Sequence, residues 1–249
     1  MKQASRAFAA YLVIALAVTW PLARGLARDV AWDLGDPVLN MWILSWDCEQ
    51  FRAILGGHWS HLRHFFDANI FYPAPLTLAY SEHLVPEAIQ IFPIYELTRN
   101  PILCYNLLFL STFALSGLGM FLFARELTGS AAAGFVGGLL FAFVPYRLPQ
   151  SSHLQMLSSQ WMPFALYGFR RWVNTGRTRA LVGAIAAVVA DGLSCGYYLL
   201  YFSPFAAAYA IWEIWRRRDW LADRAPPSRE AHQHPHPAQR RRRADSGER

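Results

Sequence analysis

The sequence has little charge for its length. Only 16% of its 249 residues are Asp, Glu, Lys or Arg, whereas 54% are hydrophobic. Soluble domains carry about 25% charged residues, so this composition favours a membrane protein. The charge is also uneven. Residues 1–215 hold 13 basic and 12 acidic residues, whereas the last 34 residues hold 10 arginines and five acids. The net charge of +6 therefore belongs mostly to the tail, and it does not indicate nucleic-acid binding.

Cysteines are few, and the common metal and nucleotide motifs are missing. Cys48, Cys104 and Cys195 have no CxxC spacing, so the sequence supports neither a disulfide framework nor a cysteine metal site. The histidines at 58, 61 and 64 have no local carboxylate to complete a metal site. The sequence contains no P-loop, GxGxxG, GxSxG or HExxH motif, which counts against an ATPase or a nucleotide-sugar enzyme.

Long apolar runs are the dominant feature of the chain. A helix that crosses a membrane needs about 20 mainly apolar residues. We predict six such helices, near residues 7–23, 102–124, 129–145, 154–172, 180–193 and 197–215. The last two come from one apolar stretch, which we divide at Asp191–Gly196 because two glycines there favour a reversal. The first is preceded by Lys2 and Arg6 and is predicted to be a retained signal anchor.

The distribution of arginines supports this division. If the N-terminus is cytoplasmic, most Lys and Arg near the helix ends fall in cytoplasmic segments, as the positive-inside rule requires. The predicted fold class is therefore an all-α membrane bundle of about six helices in the inner (plasma) membrane, with both termini cytoplasmic. Residues 24–101 then form a large outer loop.

The outer loop is rich in acids and is predicted to contain interfacial helices. It holds nine acidic residues and five arginines. Asp36 is a predicted N-cap, followed by Pro37 and a helix over 38–55 with Leu, Ile and Trp on one face and polar residues on the other. We expect this helix to lie flat on the outer membrane surface, with a helix buried in protein as the alternative. A second interfacial helix is predicted over 86–98.

The predicted topology brings the unusual polar residues to the outer side. These are Asp36, Asp47, Glu82 and His83 from the loop, Arg147 and His153 from the segment after the third helix, and Asp191 from the last hairpin. Ionisable groups near membrane depth are costly and indicate function. A carboxylate with Arg and His suits transfer from a lipid phosphate donor to a hydroxyl, with the carboxylate as general base and the cations on phosphate.

Each of these residues also has a structural alternative. Asp36 can serve only as a helix cap, and Arg147 can contact lipid headgroups. His83 and His153 can be ordinary hydrogen-bonding residues. Asp191 can simply shape the turn of the hairpin.

Four stretches of the chain resemble the N-terminal half of GT-C type membrane glycosyltransferases. They are GDPVLNMWILSWD (35–47), FDANIFYPAPLTLAYSEHL (66–84), FAFVPYRLPQSSHLQMLSSQWMP (141–163) and LSCGYYLLYFSP (193–204). Similar proteins are protein O-mannosyltransferases, aminoarabinose-transferase-like enzymes and YfhO-like proteins of an uncharacterised bacterial branch. The resemblance covers residues 1 to about 215.

The resemblance implies an inverting hexosyltransferase that takes its sugar from a polyprenyl-phosphate donor at the outer face. In that superfamily an acidic residue of the first outer loop is essential, which implies Asp36 as catalytic residue, with Asp47 as second candidate. Glu82, His83, Arg147, His153 and Asp191 are then expected to bind substrate. The superfamily often has a paired acidic motif here, where this chain has Asp36 alone in GDP. No cofactor motif is present, and a divalent cation at the outer-loop carboxylates is left open.

Residues 216–249 form a basic, low-complexity tail that is predicted to be disordered. The abrupt loss of apolar pattern there suggests a fragment of a longer protein, and a natural tail that contacts anionic lipid is the alternative. The expected partners are membrane lipids and a lipid-linked sugar. The alternative function is a non-catalytic membrane protein of lipid or cell-envelope assembly, whose loop binds lipid or a partner.

Overall fold

The computed structural model describes residues 2–218 and is all-helical, without a β-strand in that range. The all-α class is therefore confirmed. The helices are α1 (Lys2–Val18), α2 (Asp36–Leu55), α3 (Val85–Thr98), α4 (Pro101–Thr128), α5 (Ala131–Ala142), α6 (Leu154–Leu157), α7 (Trp161–Thr175), α8 (Thr178–Ser194) and α9 (Gly196–Arg216). The predicted disorder of the tail concerns residues 219–249, which lie outside the described range.

Residues up to Ala208 form one compact unit, and a second unit begins at Tyr209. Within the second unit, Glu213 pairs with Arg216 at 3.7 Å and with Arg217 at 3.6 Å.

Helix α4 is the centre of the first unit and contacts α1, α2, α3, α5, α6 and α7. Its ends are well defined. The Asn100 side chain caps the first turn by accepting a hydrogen bond from the Leu103 N–H at 2.9 Å. Gly129 ends the helix in the left-handed conformation, with φ of 74°, which a residue without Cβ adopts at little cost. The buried aromatic residues of α4 form much of the core.

Among the described helices, α4 alone is long and apolar enough to cross a membrane by length and composition. Its most apolar window has a mean hydropathy of 2.0 and is 56% buried. Residues Ala131–Arg147 form a shorter apolar segment. A core helix of a soluble protein meets the same criterion, so one such helix is weak evidence for membrane association. The six-helix membrane bundle is not confirmed.

The predicted membrane helices correspond to observed helices with different ends. The first ends at Val18 instead of residue 23, before Pro21. The segment 154–172 is two helices, because Ser158–Gln160 are not helical. Pro163 explains this break: it has no N–H to bond the Ser159 carbonyl, and its ring would clash there, so it fits only in the first turn of a new helix. Helix α7 accordingly begins at Trp161.

Helix α2 packs against other helices with its polar side turned inward. Asn40, Asp47 and Gln50 are buried, whereas the apolar Leu39 and Leu55 are 42% and 75% exposed. Helix α2 contacts α3 and α4, so its polar side turns toward other helices. The position of α2 on the membrane surface stays a prediction.

The start of α2 also differs from the prediction. Gly35 is the N-cap and Asp36 is the first helical residue, without a side-chain capping bond. The Asp36 carboxylate is therefore free to make a different contact.

The packing of α1 on α4 and α5 depends on Tyr11. Its side chain is fully buried, stacks on Phe135 with ring centroids 5.3 Å apart and donates a hydrogen bond to the Phe135 carbonyl at 2.9 Å. Gly117 and Gly138 face this ring, and a Cβ at either position would lie within 3 Å of Tyr11 atoms. Two glycines thus allow an aromatic ring to fit between three helices.

Candidate functional site

An open cleft of about 580 Å³ lies at the end of the bundle that carries the loop. We call it the Asp36 cleft. Its lining comes from distant parts of the chain: Asp36, Glu82, Tyr146, Gln150, His153, Gln155, Met156, Tyr197, Tyr198 and Tyr201. It thus gathers α2, the loop, the segment after α5 and the start of α9. Three predicted site residues, Asp36, Glu82 and His153, meet in it.

Asp36 and His153 contact each other in the cleft. His153 Nε2 lies 3.3 Å from Asp36 Oδ2, and the two side chains are 41% and 44% exposed. The contact joins the first turn of α2 to the residue before α6. A second contact between the same segments runs from Asn40 Nδ2 to Gln155 Oε1 at 3.3 Å. The carboxylate and the imidazole are therefore positioned together and remain open to the cleft.

A second carboxylate, Asp33, lies next to this pair. It accepts a hydrogen bond from the Ser152 hydroxyl and another from the Gly35 N–H at 2.8 Å. The bond from Ser152 is the main reason that the pKa of Asp33 is held below its usual value, with the Gly35 bond and His153 adding to the effect. Asp33 and Asp36 thus contact the consecutive residues Ser152 and His153. The spacing of three residues between Asp33 and Asp36 was a signal for this pair, but the prediction selected Asp36 and Asp47 and did not select Asp33.

Glu82 and His83 are neighbours in sequence with different surroundings. Glu82 lines the Asp36 cleft and also a smaller pocket of about 270 Å³ beside Gly192–Tyr197. His83 lines only the smaller pocket, and its ring meets the edge of Phe66 with centroids 5.5 Å apart. Burial lowers the pKa of His83. Glu82 is therefore the one of the two that can reach a molecule in the Asp36 cleft.

Arg147 lies beneath the cleft and not in its lining. It is buried and donates hydrogen bonds to the Ser159 hydroxyl and to the Leu157 carbonyl, the latter at 2.9 Å. Its guanidinium also lies 5.0 Å from the ring centroid of Phe113. Burial lowers the pKa of Arg147 to about 10. Arg147 is thus a positioning residue for the segment that carries Ser152 and His153.

Asp47 and Asp191 are buried in the protein near a third carboxyl, Glu87, which sequence reasoning did not select. Glu87 Oε1 accepts hydrogen bonds from Ser194 Oγ at 2.8 Å and from Trp161 Nε1 at 3.4 Å. Both carboxyl oxygens of Asp47 are buried without a hydrogen-bond partner among the described residues. These carboxyls join α2, α3 and α8 and do not line the Asp36 cleft.

The protonation states of Asp47 and Glu87, the two buried carboxyls of the loop, follow from their burial. Burial, with the charge of Glu87 as a further cause, raises the pKa of Asp47 to about 8. Burial also raises the pKa of Glu87 to about 7, although the bonds from Ser194 and Trp161 oppose the shift. Asp47 is therefore mainly protonated at neutral pH. A buried, protonated carboxyl cannot act as the general base of the cleft.

The charge of the cleft is limited. Its lining contains Asp36, Glu82 and His153 but no Lys or Arg. Within residues 2–218, no group of three or more His, Cys, Asp or Glu side chains is arranged to hold a metal ion. The divalent cation left open at the loop carboxylates therefore stays a prediction.

Comparison with protein-family models, with curated proteins and with solved structures found no match to this chain. The GT-C resemblance therefore stays a prediction from the sequence.

Proposed function

We propose that this protein is a GT-C type membrane glycosyltransferase, which transfers a sugar from a polyprenyl-phosphate donor to an acceptor hydroxyl. The observation that carries the proposal is the Asp36–His153 pair in an open cleft formed by four distant parts of the chain. Asp36, which the family resemblance implies as the catalytic residue, lines a ligand-sized cavity.

The proposed reaction uses Asp36 as general base. Asp36 takes the proton of the acceptor hydroxyl while that oxygen attacks the anomeric carbon of the donor sugar. The bond from this carbon to the phosphate oxygen breaks on the opposite face, so the configuration inverts and polyprenyl phosphate leaves. His153 orients the carboxylate through its contact with Asp36. The exposed rings of Tyr197 and Tyr201 provide apolar faces for a sugar.

The proposed location is the inner membrane, with several helices in lipid and the loop outside. Helix α8 supports this because Val182, Ile185, Val189 and Leu193 are exposed at helical spacing. Such an apolar stripe is unfavourable in water and suits contact with lipid tails. The positive-inside rule then places the arginine-rich ends of α4 and α7 in the cytoplasm.

Labelling of single cysteines tests this topology. Cys48, Cys104 and Cys195 are buried, so added surface cysteines stand out against them. We expect a membrane-impermeant maleimide to label Tyr72→Cys in intact cells, because Tyr72 is exposed in the outer loop. Arg177→Cys, which is exposed at the opposite end, should be labelled only after the membrane is opened. Equal labelling of both in intact cells, or release of the protein by alkaline carbonate, would refute the topology.

Substitution of Asp36 by Asn tests the activity. The full chain in lipid nanodiscs would be given radiolabelled sugars on a polyprenyl phosphate, with transfer measured to a panel of hydroxyl acceptors. We expect Asp36→Asn to lower transfer roughly 100-fold or more, the effect of losing a general base. The matched control is Asp29→Asn, which removes an exposed carboxylate of the same loop that does not line the cleft. Unchanged transfer by Asp36→Asn would remove this residue from the site.

The second candidate is a non-catalytic role in lipid or cell-envelope assembly. It is favoured by the position of Arg147, whose guanidinium is bound to protein groups and leaves the cleft without an arginine for phosphate. The same assay separates the two candidates, because an absence of transfer by the wild-type chain with every donor favours the non-catalytic role.

A further inference from the structure

A second and larger cavity lies away from the Asp36 cleft. It is an open groove of about 910 Å³ between α7 and α8, bordered by α3 and α4. Its walls are almost entirely apolar and include Ile89, Leu115, Phe164, Gly183 and Ala187. We call it the α7–α8 groove. It shares no lining residue with the Asp36 cleft.

One end of the groove is positively charged. Arg171 and Arg179 line it, and Arg125 and Arg177 belong to the same ends of α4 and α8. The acid Glu126 lies 3.5 Å from Arg171 and also accepts a hydrogen bond from Asn174 at 2.7 Å. Arg179 is exposed. One glutamate therefore leaves this end with a net positive charge that favours an anionic group.

The groove is longer than the hydrocarbon thickness of one bilayer leaflet. It follows α8 from Arg179 to Leu193, which is about 21 Å at the helical rise of 1.5 Å per residue. The hydrocarbon core of a bilayer is about 30 Å thick, so a single leaflet contributes about 15 Å. A hydrocarbon chain that starts at the arginines can therefore remain inside the groove along its whole length.

We infer that the α7–α8 groove binds an anionic phospholipid, with its phosphate on Arg171 and Arg179 and one acyl chain against α7 and α8. The charge favours this occupant over an apolar helix, because a helix would offer no anion to Arg179 and would leave Arg171 with Glu126 alone. In the proposed topology this end faces the cytoplasmic leaflet, where anionic lipids attract basic groups. The inference rests on that membrane placement and is independent of sugar transfer.

Photolabelling tests the inference directly. The full chain in phosphatidylcholine nanodiscs would receive phosphatidylglycerol with a photoreactive diazirine in its acyl chain, and labelled peptides would be located by mass spectrometry. We expect labelling of α7 and α8 at groove residues such as Phe164 and Ala187. Unlabelled phosphatidylglycerol should compete for the site, and extra phosphatidylcholine should not. Equal competition by both lipids would overturn the inference.

Two kinds of variant sharpen this test. Arg171→Gln with Arg179→Gln should lower labelling roughly 10-fold or more. The matched control, Arg28→Gln with Arg63→Gln, removes two exposed arginines of the loop and should leave labelling unchanged. Gly183→Leu should block binding of the acyl chain in the groove. It should preserve the fold of the protein, because a Cβ at Gly183 meets nothing within 4 Å.

Three outcomes would overturn the inference. The first is wild-type labelling in the Arg171→Gln/Arg179→Gln variant, and the second is wild-type labelling in Gly183→Leu. The third is cross-linking of two copies through α8 without lipid labelling, which would assign the groove to a second chain. Melting temperatures of all variants would show that a loss of labelling is not a loss of fold. Since labelling is read without a sugar donor, its failure is distinguishable from failure of the proposed enzyme activity.

Discussion

The melting temperature of the wild-type protein is expected to fall as the pH rises from 5 to 8.5, and Asp47→Asn is expected to remove much of that fall. The cause is the buried carboxyl of Asp47, whose pKa is raised from 3.8 to about 8 by burial and by Glu87. Between pH 3.8 and about pH 8, Asp47 keeps its proton in the folded protein and has released it in the unfolded chain. The stabilisation is therefore complete below pH 4 and is lost as the pH rises toward 8.

The size of this effect makes it measurable. One unit of pKa difference corresponds to about 1.4 kcal/mol, and the effect acts over about three pH units between pH 5 and the folded pKa, so Asp47 accounts for at most about 4 kcal/mol across this range. Glu87, with its pKa raised to about 7, acts in the same direction and keeps part of the pH dependence in the variant. Asn preserves the shape of the Asp47 side chain without an ionisable group.

Thermal unfolding in detergent at pH 5 and pH 8.5 measures the difference. The control is Asp29→Asn, which neutralises an exposed carboxylate of the loop and should retain the wild-type pH dependence. Parallel stability curves for the wild type and Asp47→Asn would contradict the assignment of a raised pKa to Asp47.

Gly138→Ala is expected to destabilise the junction of α1, α4 and α5 strongly. A Cβ at this position would lie 2.1 Å from the Tyr11 hydroxyl oxygen and 2.5 Å from the Gly117 carbonyl oxygen. Relief requires α5 to move away from α4 or the Tyr11 ring to move, which breaks its bond to the Phe135 carbonyl. Overpacking of this kind costs about 1–3 kcal/mol or more, whereas the better helix propensity of Ala returns at most about 1 kcal/mol.

The matched control for this prediction is Gly183→Ala on α8. It makes the same chemical change in a helix, but its Cβ meets nothing within 4 Å. We expect the melting temperature to drop by several degrees for Gly138→Ala and to stay the same or rise slightly for Gly183→Ala. Equal melting temperatures for the two variants would show that the Tyr11 contact is not tightly packed.

The helices could be predicted because the apolar runs that form them are long and are separated by turn residues. The boundary between α8 and α9 is an example, since Ser194 ends one helix and Gly196 begins the next. The orientation of α2 could not be predicted from its own residues. Its periodicity shows two faces, but whether Asn40 and Asp47 meet solvent or protein depends on α3 and α4, which come later in the chain.

The candidate site was predictable to the same extent. Topology alone placed Asp36, Glu82 and His153 on one side, and the structure brings them into one cleft. It could not separate them from Arg147 and Asp191, which are on the same side but are bonded or buried inside the protein. Ser152 was also missed, because a lone serine carries no signal until its contact with Asp33 is known.

The central position of α4 has a consequence for the order of assembly during synthesis. Helices α1, α2 and α3 are all made before α4, yet each of them contacts α4 in the folded protein. The segment after α5, which carries His153, is made later still. When the loop has just been synthesised, the chain does not yet contain α4, against which α1, α2 and α3 pack. His153, the partner of Asp36, is added only after nearly 120 further residues. The Asp36–His153 contact is thus absent until the helices around α4 have formed.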